Sequence, residues 1–214
     1  MLDVLHFTTH KPMNKALAII LLLATPLSAL FAHDPATDMA TAAKLFIKSL
    51  DDKAKKAALL PLNGKGRETW TFLPDKYVKP DVKRKGLVMK KMTPQQRILA
   101  HGLLSSALSH RGYLEATTIM TLEQILFDIT GDAIRDPELY YVSIYGTPSK
   151  AGTWGWRFEG HHISLHFTMV NGRIFSVTPS FFGSNPAEVK EGPFKGLKVL
   201  ADEENKARKL ARSL

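Results

Sequence analysis

The chain has 214 residues, of which 44% are hydrophobic and 23% are charged, and it contains no cysteine. This length and composition are typical of a folded protein with one hydrophobic core, and they exclude a disordered chain, a collagen-like repeat and a disulfide scaffold. The net charge of +9 is spread over several segments, which is typical of solvated surface, so we expect no nucleic-acid partner.

The N-terminal segment, 1–32, has the layout of a cleavable secretory signal. Two lysines precede the apolar run ALAIILLLA at 16–24, and small residues follow at Ala29 and Ala32, where a signal peptidase would cut. The run is shorter than the roughly 20 apolar residues that cross a bilayer. We therefore expect an exported protein, periplasmic or extracellular, with no stable membrane span after cleavage. Met13 is an alternative start, and a buried helix or an uncleaved anchor is the alternative interpretation of the run.

Residues 33–214 are predicted to form a single α+β domain. Apolar residues at helical spacing and capping residues predict helices from Asp34 to about Leu60, from Thr93 to Gly112, from Thr121 to Gly131, and from about Asp202. The irregular segment 62–92 is expected to place Trp70 and Phe72 against the core.

Extended segments lie between the third and the last predicted helix. They are Tyr140–Tyr145, Trp154–Val170 and Arg173–Thr178. Asn171-Gly172, between the second and third segments, is a strong β-hairpin signal. The predicted fold has N-terminal helices, a small antiparallel sheet with an Asn-Gly hairpin, and one C-terminal helix.

The most informative stretch is WGWRFEGHHISLHFT, at 154–168, because it concentrates three histidines with an arginine and a glutamate. If the stretch is one strand, alternate side chains point to opposite faces. One face then carries Trp156, Phe158, His162, Ser164 and His166, and the other carries Arg157, Glu159, His161, Ile163, Leu165 and Phe167.

The leading hypothesis from this stretch is a histidine-centred, hydrolase-like enzyme. His161 and His162 would transfer protons near neutral pH, Glu159 would orient His161, and Arg157 would orient an anionic group. The alternative for His161 is a core histidine bonded to Glu159. No G-x-S-x-G motif is present to make Ser164 a nucleophile.

His161 and His162 are also the metal ligands if a metal ion is bound. Adjacent residues of a strand point to opposite faces, and His162 and His166 are about 13 Å apart at the usual rise of a strand. Bonds of about 2 Å do not bridge that distance, so this geometry does not favour a metal ion, and the cofactor stays undetermined. If a signal is cut after Ala32, the amine and imidazole of His33 together form a further copper chelate.

The alternative function is a non-catalytic exported binding module. Trp154 and Trp156, with Phe181 and Phe182, would form an aromatic platform beside Asn185. Large exposed aromatic side chains are uncommon without such a role. The ligand would be a small molecule or a peptide.

Several motifs resemble one known family, called domain of unknown function 3500. They are RDPE at 135–138, YGTPS at 145–149, WGWRFEGHHISL at 154–165 and PSFFGSNPAEV at 179–189, and the resemblance runs from about Ala42 to the end. It implies a fold and a candidate site, but no reaction. The family usually has asparagine where this chain has His166, which weakens a catalytic role for that histidine. Family members typically continue for about a hundred more residues with further histidines and an aspartate-rich motif. If those residues complete a site with His161 and His162, the resemblance implies a short member or a fragment with an incomplete site.

Overall fold

The structure, a computed structural model, describes residues 34–64 and 66–214. The predicted secretory signal lies outside these residues. Within them the chain folds as α+β, with helices first, a mostly antiparallel sheet and one closing helix, which confirms the predicted fold class. No helix in the described ranges has the length and apolar character needed to cross a bilayer.

The helices and strands follow in a simple order along the chain. The α-helices are α1 (Pro35–Lys48), α2 (Asp52–Ala58), α3 (Pro94–Ala107), α4 (His110–Thr130) and α5 (Ala201–Ala211). The strands are β1 (Leu59–Leu60), β2 (Leu87–Val88), β3 (Tyr141–Tyr145), β4 (Thr153–Gly160), β5 (Ile163–Val170) and β6 (Arg173–Phe182).

The sheet has the order β1-β3-β4-β5-β6, and β3 to β6 pair in sequence as antiparallel neighbours. Two short strands share the other edge of β3. β1 pairs with it in parallel at Ile144 and Tyr145, and β2 pairs with it antiparallel at Tyr141 and Val142. The predicted hairpin is confirmed, because Asn171 and Gly172 connect β5 to β6 with φ angles of 48° and 74°, as that type of turn requires.

The helix ends agree with the sequence at several caps. Asp34 caps α1, and Thr93 and Gln96 form the predicted capping box of α3. Gly131 ends α4 in the left-handed conformation. These local signals work because each cap satisfies backbone groups that the helix leaves free.

Three predicted helix boundaries are wrong. The first helical segment is two helices, since Asp51 caps α2. The α3 helix ends at Ala107, and Ser109 caps the next helix by accepting from Gly112 N–H. Gly112 therefore lies in the first turn of α4, and the Thr121–Gln124 segment lies in its interior.

The core lies between the helices and one face of the sheet. Its largest fully buried side chains include Trp154, Trp156, Phe158, Phe46 and Met39. The indole Nε1 of Trp156 donates to Met39 Sδ on α1 at 3.3 Å, and its ring stacks on Phe167 of β5 with centroids 4.5 Å apart. Trp156 thus joins the sheet to the N-terminal helix.

Candidate functional site

The stretch at 154–168 is a hairpin rather than one strand. β4 ends at Gly160, β5 begins at Ile163, and these two residues pair. His161 and His162 form the two-residue turn between them, and His162 has a φ of 60°. Three hydrogen bonds hold the turn: His162 N–H to Phe72 O, Gly183 N–H to His162 O, and Tyr140 O–H to His161 O.

This turn corrects the predicted faces. A two-residue turn places the residues before and after it on the same face, so the alternation shifts by one position. Trp156 pairs with Phe167 and Phe158 with Leu165 on the apolar face. Arg157 pairs with His166, and Glu159 pairs with Ser164, on the opposite face. The sequence carries this signal, because its apolar positions change from even at 154–158 to odd at 163–169.

The opposite face holds a buried polar cluster, which we call the Arg–Glu–His cluster and define as Arg157, Glu159, Ser164 and His166. Arg157 Nη1 lies 3.2 Å from Glu159 Oε1, and His166 Nε2 lies 3.6 Å from Glu159 Oε2. The side chains of Arg157 and Glu159 are 3% and 1% exposed. Arg157 Nε is buried without a hydrogen bond to any described residue, and His166 Nε2 lies slightly beyond hydrogen-bond distance of Glu159 Oε2.

The segment after α2 covers this polar face and forms a pocket with it. Arg157 Nη2 donates to the carbonyls of Gly66 and Arg67, and Arg67 Nη2 donates to Thr168 Oγ1 at 2.6 Å. The pocket has a volume of about 400 Å³, and its lining includes Arg67, Trp70, Tyr145, Arg157, His166 and Thr168. Gly155 lies under Arg67, since an added Cβ there would come 3.4 Å from Arg67 Nη2 and 2.7 Å from Phe167 O.

Two guanidinium groups converge in the pocket. The Cζ atoms of Arg157 and Arg67 lie 5.5 Å and 5.9 Å from the centroid of the Tyr145 ring, within cation–π range. Arg157 is paired with Glu159, whereas no ion pair joins Arg67 to a described carboxylate. Burial raises the pKa of the Tyr145 hydroxyl, so the ring stays neutral between the two cations.

His166 is the histidine that lines the pocket. Burial lowers the pKa of its imidazole, while the nearby Glu159 opposes that shift. The Ser164 hydroxyl is 3.3 Å from His166 Nε2, the same nitrogen that approaches Glu159. A Ser-His-acid triad needs the two ring nitrogens to face different partners, so these three residues do not form one.

His161 and His162 belong to a second cluster, which we call the double-histidine turn. His161 Nδ1 lies 2.6 Å from Oε1 of Glu123, a buried residue of α4. Arg135 Nη1 lies 3.6 Å from the same oxygen. The His162 ring meets the His161 ring edge-on, with centroids 4.1 Å apart. Burial, with a smaller contribution from His161, lowers the pKa of His162 to about 4.

The structure therefore divides the four predicted catalytic residues between two clusters. Arg157 and Glu159 lie in the Arg–Glu–His cluster, and His161 and His162 lie at the turn. The predicted pairing of His161 with Glu159 is wrong: Glu123 is the partner of His161, and Arg157 and His166 are the partners of Glu159. The two histidines of the turn do not line the pocket.

The aromatic side chains at the surface differ from those predicted to form a platform. Trp154 and Trp156 are 0% and 1% exposed, because the hairpin turns both toward the helices, so they offer no exposed surface. The surface aromatic cluster consists of Trp70, Phe72 and Phe181, whose centroids lie 5.2–6.1 Å apart. Trp70 and Phe72, expected against the core, are 42% and 39% exposed. Asn185 lies partly exposed in the loop after β6, away from the pocket lining.

Sequence reasoning missed Arg67, Tyr145 and Glu123. Arg67 and Glu123 lie 90 and 38 residues from Arg157 and His161, respectively, and no local pattern links such distant residues. One signal was present for Glu123, because a charged residue among the apolar positions of α4 requires a buried partner. Among the described residues, no group of three or more histidine, aspartate or glutamate side chains is arranged to hold a metal ion.

Comparison with known proteins gives a family without an activity. No curated protein matches the chain, and no solved structure matches it. A family model described as "Protein of unknown function (DUF3500)" matches residues 32–214, which include both clusters and the pocket. The chain thus belongs to the DUF3500 family.

Proposed function

We propose that the chain is an exported binding protein that holds a small organic anion in the pocket of β4 and β5. The convergence of Arg67 and Arg157 on the Tyr145 ring carries this proposal. Two cations, Arg67 and Arg157, line the pocket, and Glu159 neutralises one of them. An anionic ligand would supply a negative charge for the other.

The pocket lining indicates a ligand with a carboxylate and a flat apolar part. Guanidinium groups bind carboxylates through paired hydrogen bonds, and the hydroxyl of Thr178 adds a donor at the wall. The exposed Trp70 ring at the same wall offers a stacking surface. A volume of about 400 Å³ suits a small molecule. Benzoate is the simplest probe with both features.

Binding is tested by titration calorimetry of the purified chain with benzoate. Arg67→Gln keeps an amide donor near Thr168 but removes the charge, and we expect it to weaken binding at least tenfold. Arg173→Gln is the matched control, since it removes the same charge from an exposed position on β6. Equal affinity in wild type and Arg67→Gln, or no heat from benzoate at millimolar concentration, would contradict the proposal.

Export is the second part of the proposal, and it rests on the layout of 1–32. Expression in a bacterial host followed by cell fractionation and mass spectrometry tests it. We expect the mature chain in the periplasm or the medium, beginning a few residues before α1. An intact N-terminus on protein confined to the cytoplasm would contradict export and leave the pocket proposal in place.

A histidine-centred hydrolytic activity is the second candidate function, and the position of His166 favours it. The buried imidazole has a lowered pKa, lies next to Glu159 and lines the pocket. It would accept a proton from a water molecule that attacks an ester carbonyl, with the anionic part of the substrate held by the arginines. The test is hydrolysis of a p-nitrophenyl ester by wild type and His166→Asn. Equal rates would exclude His166 as the base.

A further inference from the structure

The double-histidine turn lies outside the pocket and is not used by the proposed function. In a straight strand, adjacent histidines would point apart and could not share one metal ion. The turn removes that objection, because it brings the two rings into contact with centroids 4.1 Å apart. We propose that His161 and His162 together bind one divalent transition-metal ion of the copper–zinc class.

The distance between the rings suits two imidazoles on one ion. Bonds of about 2 Å place each ring centroid about 3 Å from the ion, and two rings at a right angle around it are then roughly 4.5 Å apart. The observed separation is 4.1 Å. A small rotation of either side chain would close the difference. The remaining coordination positions would be filled by water or by a small ligand.

Glu123 orients His161 in the way that metal-binding histidines are held. An ionised carboxylate can only accept, so Nδ1 of His161 donates to Glu123 Oε1 at 2.6 Å. This fixes the tautomer and leaves Nε2, with its lone pair, as the metal-binding nitrogen of the ring. Arg135, at 3.6 Å from Glu123 Oε1, is the cation nearest to this pair, and Glu123 neutralises it.

The His162 backbone has a strained φ, which its hydrogen bonds to Phe72 and Gly183 hold in place. Its φ of 60° is one that glycine or asparagine adopts more readily than histidine. Its Nδ1 is buried and has no hydrogen-bond partner among the described residues. Gly183 makes room for the ring, because a Cβ there would come 2.4 Å from Nδ1. Metal binding by the His162 imidazole would give a role to a residue whose backbone conformation is strained.

Titration of the full chain with Cu²⁺ and Zn²⁺, followed by calorimetry and, for copper, by electron paramagnetic resonance, tests the site. All measurements use protein that carries His33→Gln. If a signal is cut after Ala32, the amine and imidazole of His33 would otherwise chelate copper as well. We expect about one equivalent of Cu²⁺ with nitrogen hyperfine splitting, as two imidazole ligands would produce.

Two variants are designed to keep the turn and to remove one ligand each. His161→Gln retains an amide that donates to Glu123, and His162→Asn suits the positive φ. We expect each to weaken Cu²⁺ binding at least tenfold, and His110→Gln, an exposed histidine on α4, to leave it unchanged. We also combine the two substitutions in one protein. The proposal would be overturned if this double variant bound Cu²⁺ as tightly, or in the same amount, as the wild-type protein.

Discussion

Nδ1 of His161 lies 2.6 Å from Oε1 of Glu123, although the two residues are 38 positions apart in the sequence. The contact joins the turn of the β4–β5 hairpin to the middle of α4. Both side chains are at most 9% exposed, so each depends on the other to satisfy a polar group away from water.

Replacing Glu123 by glutamine should destabilise the fold. The neutral amide leaves Arg135 without its carboxylate and weakens the bond to His161, and breaking a buried ionic contact of this kind costs about 3 kcal/mol. Glu115→Gln is the control on the same helix, since Glu115 pairs with the exposed Arg111, and we expect it to cost less than about 1 kcal/mol. Urea unfolding measures both free energies, and similar losses would contradict the role given to Glu123.

Acrylamide should quench one tryptophan out of three. Trp70 is 42% exposed, whereas Trp154 and Trp156 are buried, so the quencher reaches the first and not the others. We expect Trp70→Phe to remove nearly all quenching and Trp156→Phe to leave it. Strong quenching in Trp70→Phe would show that the buried tryptophans are accessible, as an aromatic platform would require.

Two glycines with the same backbone conformation should differ in their tolerance of alanine. Gly152 and Gly172 have φ values of 75° and 74°, and alanine in that region costs about 1–2 kcal/mol at either. A Cβ at Gly172 would also come 2.9 Å from Lys150 O. A Cβ at Gly152 would have no other atom within 4 Å. We expect Gly172→Ala to unfold at a lower urea concentration than Gly152→Ala, and the reverse order would contradict the packing at the β5–β6 turn.

The stability of the fold should depend on pH through His166. Burial lowers the pKa of His166 in the folded state, so the unfolded chain takes up the proton more readily. The contribution of the neutral ring is therefore fully present above the unfolded-state pKa, near 6.5, and is lost as the pH falls below it toward the folded-state value. The charged neighbours of the ring are Glu159 and Arg157 on β4, and Arg67.

His166→Asn isolates this contribution, since His101 and His162 have pKa values lowered in the same direction and are present in both proteins. We expect the stability advantage of wild type over the variant to shrink between pH 7 and pH 5, at no more than about 1.4 kcal/mol per pH unit. A difference that stays constant over that range would mean that the folded state does not depress the pKa of His166.

The sequence was sufficient for the fold class because local chemistry decides it. Thr93 and Gln96 satisfy the first backbone groups of α3, and Asn171-Gly172 adopts the positive φ angles that these residue types favour in a hairpin turn. The start of α4 was not predicted, because Gly112 looked like a helix end, whereas the cap is Ser109, three positions earlier. The helix starts after Ser109 because its hydroxyl accepts a hydrogen bond from Gly112 N–H, which places the glycine in the first turn.

The arrangement of the residues in the 154–168 stretch was not predicted from the sequence. The turn at His161-His162 has no glycine or asparagine, and it is stabilised by hydrogen bonds to Phe72 and Gly183, which lie in other segments. Missing this turn exchanged the faces of every residue after it. The pocket depends on Arg67 and Tyr145, which reach β4 from elsewhere in the chain, so only the tertiary structure brings it together.

The 117 residues that separate Met39 from Trp156 affect the order in which the chain folds. The ribosome produces α1 first, but the sheet face that buries it appears only after β4 has been made. The strands from β3 onward pair with sequence neighbours, whereas the contact between Met39 and Trp156 spans most of the chain. We therefore expect α1 to meet its helical neighbour α3 first and the sheet last, because contacts between distant residues form more slowly than local ones.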